Sequence, residues 1–159
     1  MAIYRVFRGI SNLNIDSKGR IAIPTKYRNE IKSNQSEYEG QMVLTVDHAD
    51  RCLVLYPMED WLGTEGKLMS MPNLDGDVRI MKRLILGHAT DVDMDGQGRI
   101  MLPALLREYA SMSKKLVMIG QGNKFELWDE ESWNDGCEVM IKAAPINIQS
   151  NDELKKLSI

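Results

Sequence analysis

Two five-residue segments hold most of the side chains that could do chemistry. Asp16-Ser17-Lys18-Gly19-Arg20 and Asp95-Gly96-Gln97-Gly98-Arg99 each place a carboxylate four residues ahead of a guanidinium, with a glycine just before the arginine. A tight turn at that glycine would need positive φ, which costs only glycine nothing. Two chemistries fit the pattern. The charged pair can clamp the turn, an interaction worth only ~0–1 kcal/mol at a surface. Alternatively the turn is a cationic strand–turn–strand tip, carrying Lys18 and Arg20 in one copy and Arg99 in the other. Such a ribbon fits a DNA major groove, where arginine pairs with guanine edges or phosphate oxygens. We read a division of labour: Asp16, Gly19, Asp95 and Gly98 build the turns, and the cations face nucleic acid.

Other chemistries find less support. Asp91-Val92-Asp93-Met94-Asp95-Gly96 opens like an EF-hand calcium loop. The ninth position is then Arg99 and the twelfth Leu102, where calcium requires oxygen ligands and a bidentate glutamate. His48 and His88 fall in no metal cluster and no nucleophile–base spacing. Each repeated aspartate has an arginine four residues on, which keeps its pKa low and argues against an acid–base dyad. Gly120-Gln121-Gly122 with Lys124 lacks the rest of a nucleotide-binding fingerprint. Cys52 and Cys137 are too few for a disulfide framework and read as small buried hydrophobes. The expectation is no catalytic residue, no metal, no cofactor and no small-molecule substrate; the chain is not an enzyme.

The elements that must position these turns repeat once. The block from Asp16 to Pro24, followed by Arg28, recurs from Asp95 to Pro103, followed by Arg107, at a constant offset of 79 residues. Met42-Val43-Leu44-Thr45 is echoed by Leu116-Val117-Met118-Ile119, Leu53–Tyr56 by Phe125–Trp128, and Trp61 by Trp133. Same-order recurrence marks an internal duplication. Each half reads as strand, turn, strand, short helix and two further strands. Leu13 and Ile15 alternate with polar residues, and Arg20–Ile23 alternates again before Pro24 opens a helix. A helix is expected from Pro57 to Met69 despite Gly63 and Gly66, and a clearer one over 77–87, closed by Gly87. Arg79, Lys82 and Arg83 share the outer face of that second helix and read as a solvated stripe.

Composition bounds the class. With 43% hydrophobic and 27% charged residues, the chain is an ordinary globular one. No apolar run approaches the ~18 residues of a membrane span, and residues 1–5 carry no secretory signature, so a cytoplasmic location is expected. The net charge is −3, but residues 1–32 hold seven basic groups against Asp16 and Glu30, net +5, whereas residues 129–159 are net −4. Phosphate responds to the local field rather than the total.

Phe7-Arg8-Gly9, both Asp-x-x-x-Arg turns, Gly40-Gln41-Met42-Val43, Leu86-Gly87-His88-Ala89 and Phe125-Glu126-Leu127-Trp128 closely resemble the MraZ family, from about Phe7 to Trp133. MraZ proteins are bacterial regulators encoded at the head of the division and cell-wall gene cluster. The resemblance implies a mainly β, α+β protein of two duplicated SpoVT/AbrB-like swapped-hairpin halves, which form a pseudo-twofold double-split β-barrel. The first half would span 1–75 (core about 10–57) and the second 76–159 (core about 89–132), with an acidic C-terminal tail. It also implies a ring-shaped homo-oligomer on double-stranded DNA, associated with the nucleoid. That ring would bind short direct repeats in its own promoter and repress its own operon. The DNA-facing arginines map onto Arg20 and Arg99, and Lys18 and Arg8 join them as expected DNA-binding residues. Lys18 has no counterpart, because Gln97 replaces it in the second copy, so the halves need not contact DNA equally. The extension Met1–Val6 looks longer than is usual in the family. One rival class remains, a ring-forming interaction protein whose basic turns bind protein or RNA; a metal-dependent carboxylate enzyme is all but excluded.

Overall fold

The computed structural model describes residues 6–32, 37–143 and 145–158. Of the extension Met1–Val6, only Val6 falls among them. The described strands are β1 (Ile10–Asn14), β2 (Arg20–Ala22), β3 (Gln41–Val46), β4 (Leu53–Pro57), β5 (Thr90–Asp93), β6 (Arg99–Met101), β7 (Lys115–Gly120) and β8 (Phe125–Asp129). The α-helices are α1 (Thr25–Ile31), α2 (Met58–Ser70), α3 (Gly76–Ile85), α4 (Ala104–Tyr109) and α5 (Glu130–Lys142).

Local signals explain most of these elements. Pro24 and Pro103 stand at the N-caps of α1 and α4 with φ of −53° and −58°, where a missing N–H costs nothing. Asp75 caps α3 by accepting from the Asp77 and Val78 N–H groups. Asp129 does the same for α5 through Ser132 N, and Glu130 and Glu131 add negative charge to that helix's first turn. In β3, Met42, Leu44 and Val46 face one way and Val43 and Thr45 the other. All five are buried, so the strand reads as an unbroken apolar run.

Antiparallel pairing builds a six-stranded sheet in the order β1-β7-β8-β4-β3-β5 and a separate ribbon of β2 with β6. β1 pairs with β7, Ile10 opposite Ile119, and β5 pairs with β3, Asp93 opposite Gln41. Each repeat therefore gives its first strand to the other repeat's section of the sheet. On one face of the sheet, Leu44, Leu55, Leu116 and Phe125 meet Ile21, Ile23, Ile100 and Leu102 of the ribbon segments, together with Tyr27 and Leu106. Phe7 and Phe125, from opposite halves, stack 4.3 Å apart between ring centres. On the other face, Val43, Val54 and Tyr56 of the sheet pack with Trp61 and Met58 of α2 and Ile85 of α3. Trp128 and Trp133 meet at 5.7 Å, closely matching Tyr56 and Trp61 at 5.6 Å.

The expected mainly β, double-split β-barrel of swapped-hairpin halves is corrected by this topology. Both sheets are open, and helix takes up more of the described chain than strand. The six-stranded sheet ends at β1 and β5, which do not pair with each other. β2 and β6 are three residues long and hydrogen-bond to one another, and α1 and α4 begin just after Pro24 and Pro103. At three residues each, β2 and β6 are too short to bridge the open edges. The helical excess comes from α2, α3 and α5, each of 10 to 13 residues against strands of three to six. Cys52 is buried as expected, but Cys137, on α5, is only partly so.

Candidate nucleic-acid interface

The two turns match bond for bond. Asp16 Oδ1 accepts from Lys18 N and Arg20 N, both at 2.9 Å, and Oδ2 accepts from Arg20 Nε at 2.8 Å. Asp95 Oδ1 accepts from Gln97 N and Arg99 N at 2.9 Å, and Oδ2 from Arg99 Nε at 2.8 Å. Gly19 and Gly98 close the turns by donating to the Asp16 and Asp95 carbonyls at 3.0 Å, with φ of +85° and +75°. Backbone N–H donation from the arginine holds both carboxyls below the usual carboxylate range, reinforced by the guanidinium; Asp95 falls to about 2. Each aspartate engages only the inner nitrogen of its arginine. The Nη groups of Arg20 and Arg99 form no hydrogen bond among the described residues. The clamp thus leaves the outer nitrogens of two half-buried guanidinium groups unengaged.

The ribbon sets the two arginines side by side. Arg20 lies opposite Met101, and Ala22 opposite Arg99. Ile21 and Ile100 point into the core, so Arg20, Ala22, Arg99 and Met101 share the outward face. Diagonal neighbours on such a face are roughly 7–8 Å apart, less than the width of a major groove. Backbone bonds fasten each turn to the opposite strand. Ile23 N donates to Gly98 O, and Leu102 N to Gly19 O, both at 2.8 Å.

Lys18 is exposed at the first turn, with Gln97 in the equivalent place. Arg8 is exposed at the other end of β1 from the first turn. It precedes β1, whereas the first turn follows β1, on the order of 20 Å of extended chain away. Its carbonyl accepts from the Tyr27 hydroxyl. Two arginines carry a role beyond the motif. Arg28 Nε donates to Ile23 O at 2.7 Å and Arg107 Nε to Leu102 O at 3.0 Å, and their guanidinium groups lie against Gly98 and Gly19 of the opposite turn. Their shared 79-residue offset was the signal for them. Among the described residues, no group of three or more His, Cys, Asp or Glu side chains could hold a metal ion. Asp91 and Asp93 belong to β5.

The family model described as MraZ protein matches the chain twice, over residues 6–84 and 85–153. The chain belongs to the MraZ family. It is 46% identical over 153 residues to the transcriptional regulator MraZ of Hydrogenovibrio crunogenus, covering 96% of this chain and 98% of the relative. The MraZ regulator of Thioalkalivibrio sulfidiphilus is 46% identical over 154 residues, covering 97% and 100%. That of Shewanella baltica is 45% identical over 157 residues, also covering 97% and 100%. MraZ membership places the chain among transcriptional regulators and not among enzymes. No described helix is long and apolar enough to cross a membrane.

Proposed function

We propose that this protein is a sequence-specific DNA-binding regulator that represses its own operon, in a division and cell-wall gene cluster. It binds short direct repeats in its promoter through the paired Asp-x-x-x-Arg turns. The observation that carries this reading is that Arg20 and Arg99 share one face of a braced ribbon, with Nε held by an aspartate and Nη groups unengaged. A pre-positioned guanidinium loses less side-chain freedom on contact, and a bidentate arginine–guanine pair is worth ~1–3 kcal/mol of discrimination. Lys18 adds phosphate attraction at the first turn. Copies assemble into a closed ring, so several ribbons meet successive repeats and weak contacts combine. Nucleoid association follows from that binding.

The test is a salt titration of binding to the protein's own upstream region beside a scrambled duplex of equal length. Affinity for the promoter should exceed that for the scramble and fall steeply with salt as phosphate contacts release counterions. Equal affinities would overturn sequence-specific recognition.

A further inference from the structure

We propose that Met101 reads the C5-methyl group of a thymine in the operator, within two base pairs of the one Arg20 contacts; the proposal rests on the DNA-binding reading above. Ile21 and Ile100 enter the core, which leaves Arg20, Ala22, Arg99 and Met101 outward. A ribbon with one solvated face alternates apolar residues inward with polar residues outward. Here both outward positions other than the arginines break that rule. The residue at 101 is a long thioether, 47% exposed. Among the described residues, Met101 joins neither apolar cluster, so core packing does not account for it.

Groove chemistry selects the partner. In the major groove the base edges present hydrogen-bond donors and acceptors, and the thymine methyl is the one alkyl group among them. A thioether pressed on any other edge would strip water from polar groups and return no hydrogen bond. Against a methyl it buries two apolar surfaces. Register fixes which arginine it accompanies. Met101 lies directly opposite Arg20, and Leu102 N donates to Gly19 O at 2.8 Å, so Met101 stands at the first turn's end of the ribbon. Opposite residues on such a face have Cβ atoms roughly 4.5–5.5 Å apart, and stacked base pairs are roughly 3.4 Å apart. The equivalent place beside Arg99 holds Ala22, whose single methyl group reaches far less deep. Lys18 and Met101 thus mark one end of the ribbon, and Gln97 and Ala22 the other. A ribbon with unlike ends meets each repeat in one direction.

Uracil in place of thymine tests this, because it removes the methyl and keeps the hydrogen-bonding edge. Duplexes of the protein's own upstream region, with thymine or with uracil throughout, are titrated by fluorescence anisotropy with wild type, Met101→Ala, Met101→Gln and Met101→Leu. Circular dichroism checks that each variant folds. Wild type should lose affinity on uracil by about fourfold for each ribbon engaged, the worth of one buried methyl group. Met101→Ala and Met101→Gln should bind thymine DNA that much more weakly and show no further loss on uracil. Met101→Leu should behave as wild type. Glutamine keeps the length, so a folded Met101→Gln decides the matter even where the alanine variant misfolds. Single replacements should confine the effect to one side of each repeat. A wild type indifferent to uracil, equal uracil losses in wild type and Met101→Gln, or equal sensitivity on both sides overturns the proposal and leaves promoter preference intact. Equal affinity of wild type for the promoter and a scrambled duplex would instead overturn the reading beneath it.

Discussion

The Arg28 guanidinium lies against Gly98, a residue of the opposite half's turn, in the space that any side chain at position 98 would need. Arg107 stands in the same relation to Gly19, though less tightly, 3.3 Å from where a Cβ would sit. Each turn is thus braced by the helix that follows the other. Gly98→Ala should destabilise the protein by about 1–2 kcal/mol from its φ alone, and further by displacing Arg28. Gly19→Ala should cost less, because Arg107 can give by a few tenths of an ångström. Thermal melts of the two variants check the order; equal losses would show that the bracing contributes nothing.

Acid should loosen the turns. Asp16, Asp95 and Asp129 all have folded-state pKa values below their ordinary 3.8, and Asp95 reaches about 2. Burial pushes Asp129 up, but hydrogen bonds from Ser113 N, Ser113 Oγ and Ser132 N outweigh it. A lowered folded pKa stabilises the fold fully above the unfolded value, and that stability is lost as pH falls through the folded one. The melting temperature should therefore drop between pH 3.8 and about 2. Asp95→Asn should show a smaller drop over that window than the wild type. Identical drops would remove Asp95 from the account.

Cys52→Ser should lower stability without changing DNA affinity at a temperature where both proteins are folded. Cys52 is fully buried, and burial pushes its thiol pKa well up, so it is an inert packing group in the native state. A hydroxyl there loses hydration without a designed partner, at a cost of about 1–3 kcal/mol. Melting curves beside gel shifts decide it; lost binding with an unchanged melt would give the thiol a direct role.

What the sequence discloses depends on how local the interaction is. The Asp16 and Asp95 clamps span four residues, and glycine marks the positive φ, so both turns were legible. α3 was legible from its apolar spacing and the glycine after it. The order of the sheet was not, because pairing β1 with β7 joins residues more than a hundred positions apart, such as Ile10 and Ile119. The contact of Arg28 with Gly98 was hidden for the same reason, although the repeat flagged both arginines. α5 was obscured because its outer turn carries exposed apolar residues where a solvated helix would be polar.

Operator binding by Arg20→Ala, with circular dichroism and light scattering on the same samples, tests the role of the turns most directly. Arg20 has Lys18 beside it whereas Arg99 has Gln97, so Arg20→Ala should do more damage than Arg99→Ala. One lost arginine contact costs ~1–3 kcal/mol, and in a multivalent assembly that loss recurs at every site, so affinity should fall far more than tenfold. The Arg20→Ala protein should be folded and assembled yet no longer shift its own promoter. If Arg20 only clamps Asp16, Arg20→Ala and Asp16→Ala would both lower the melting temperature and harm binding only through misfolding. A folded, assembled Arg20→Ala variant with wild-type operator affinity would contradict the account.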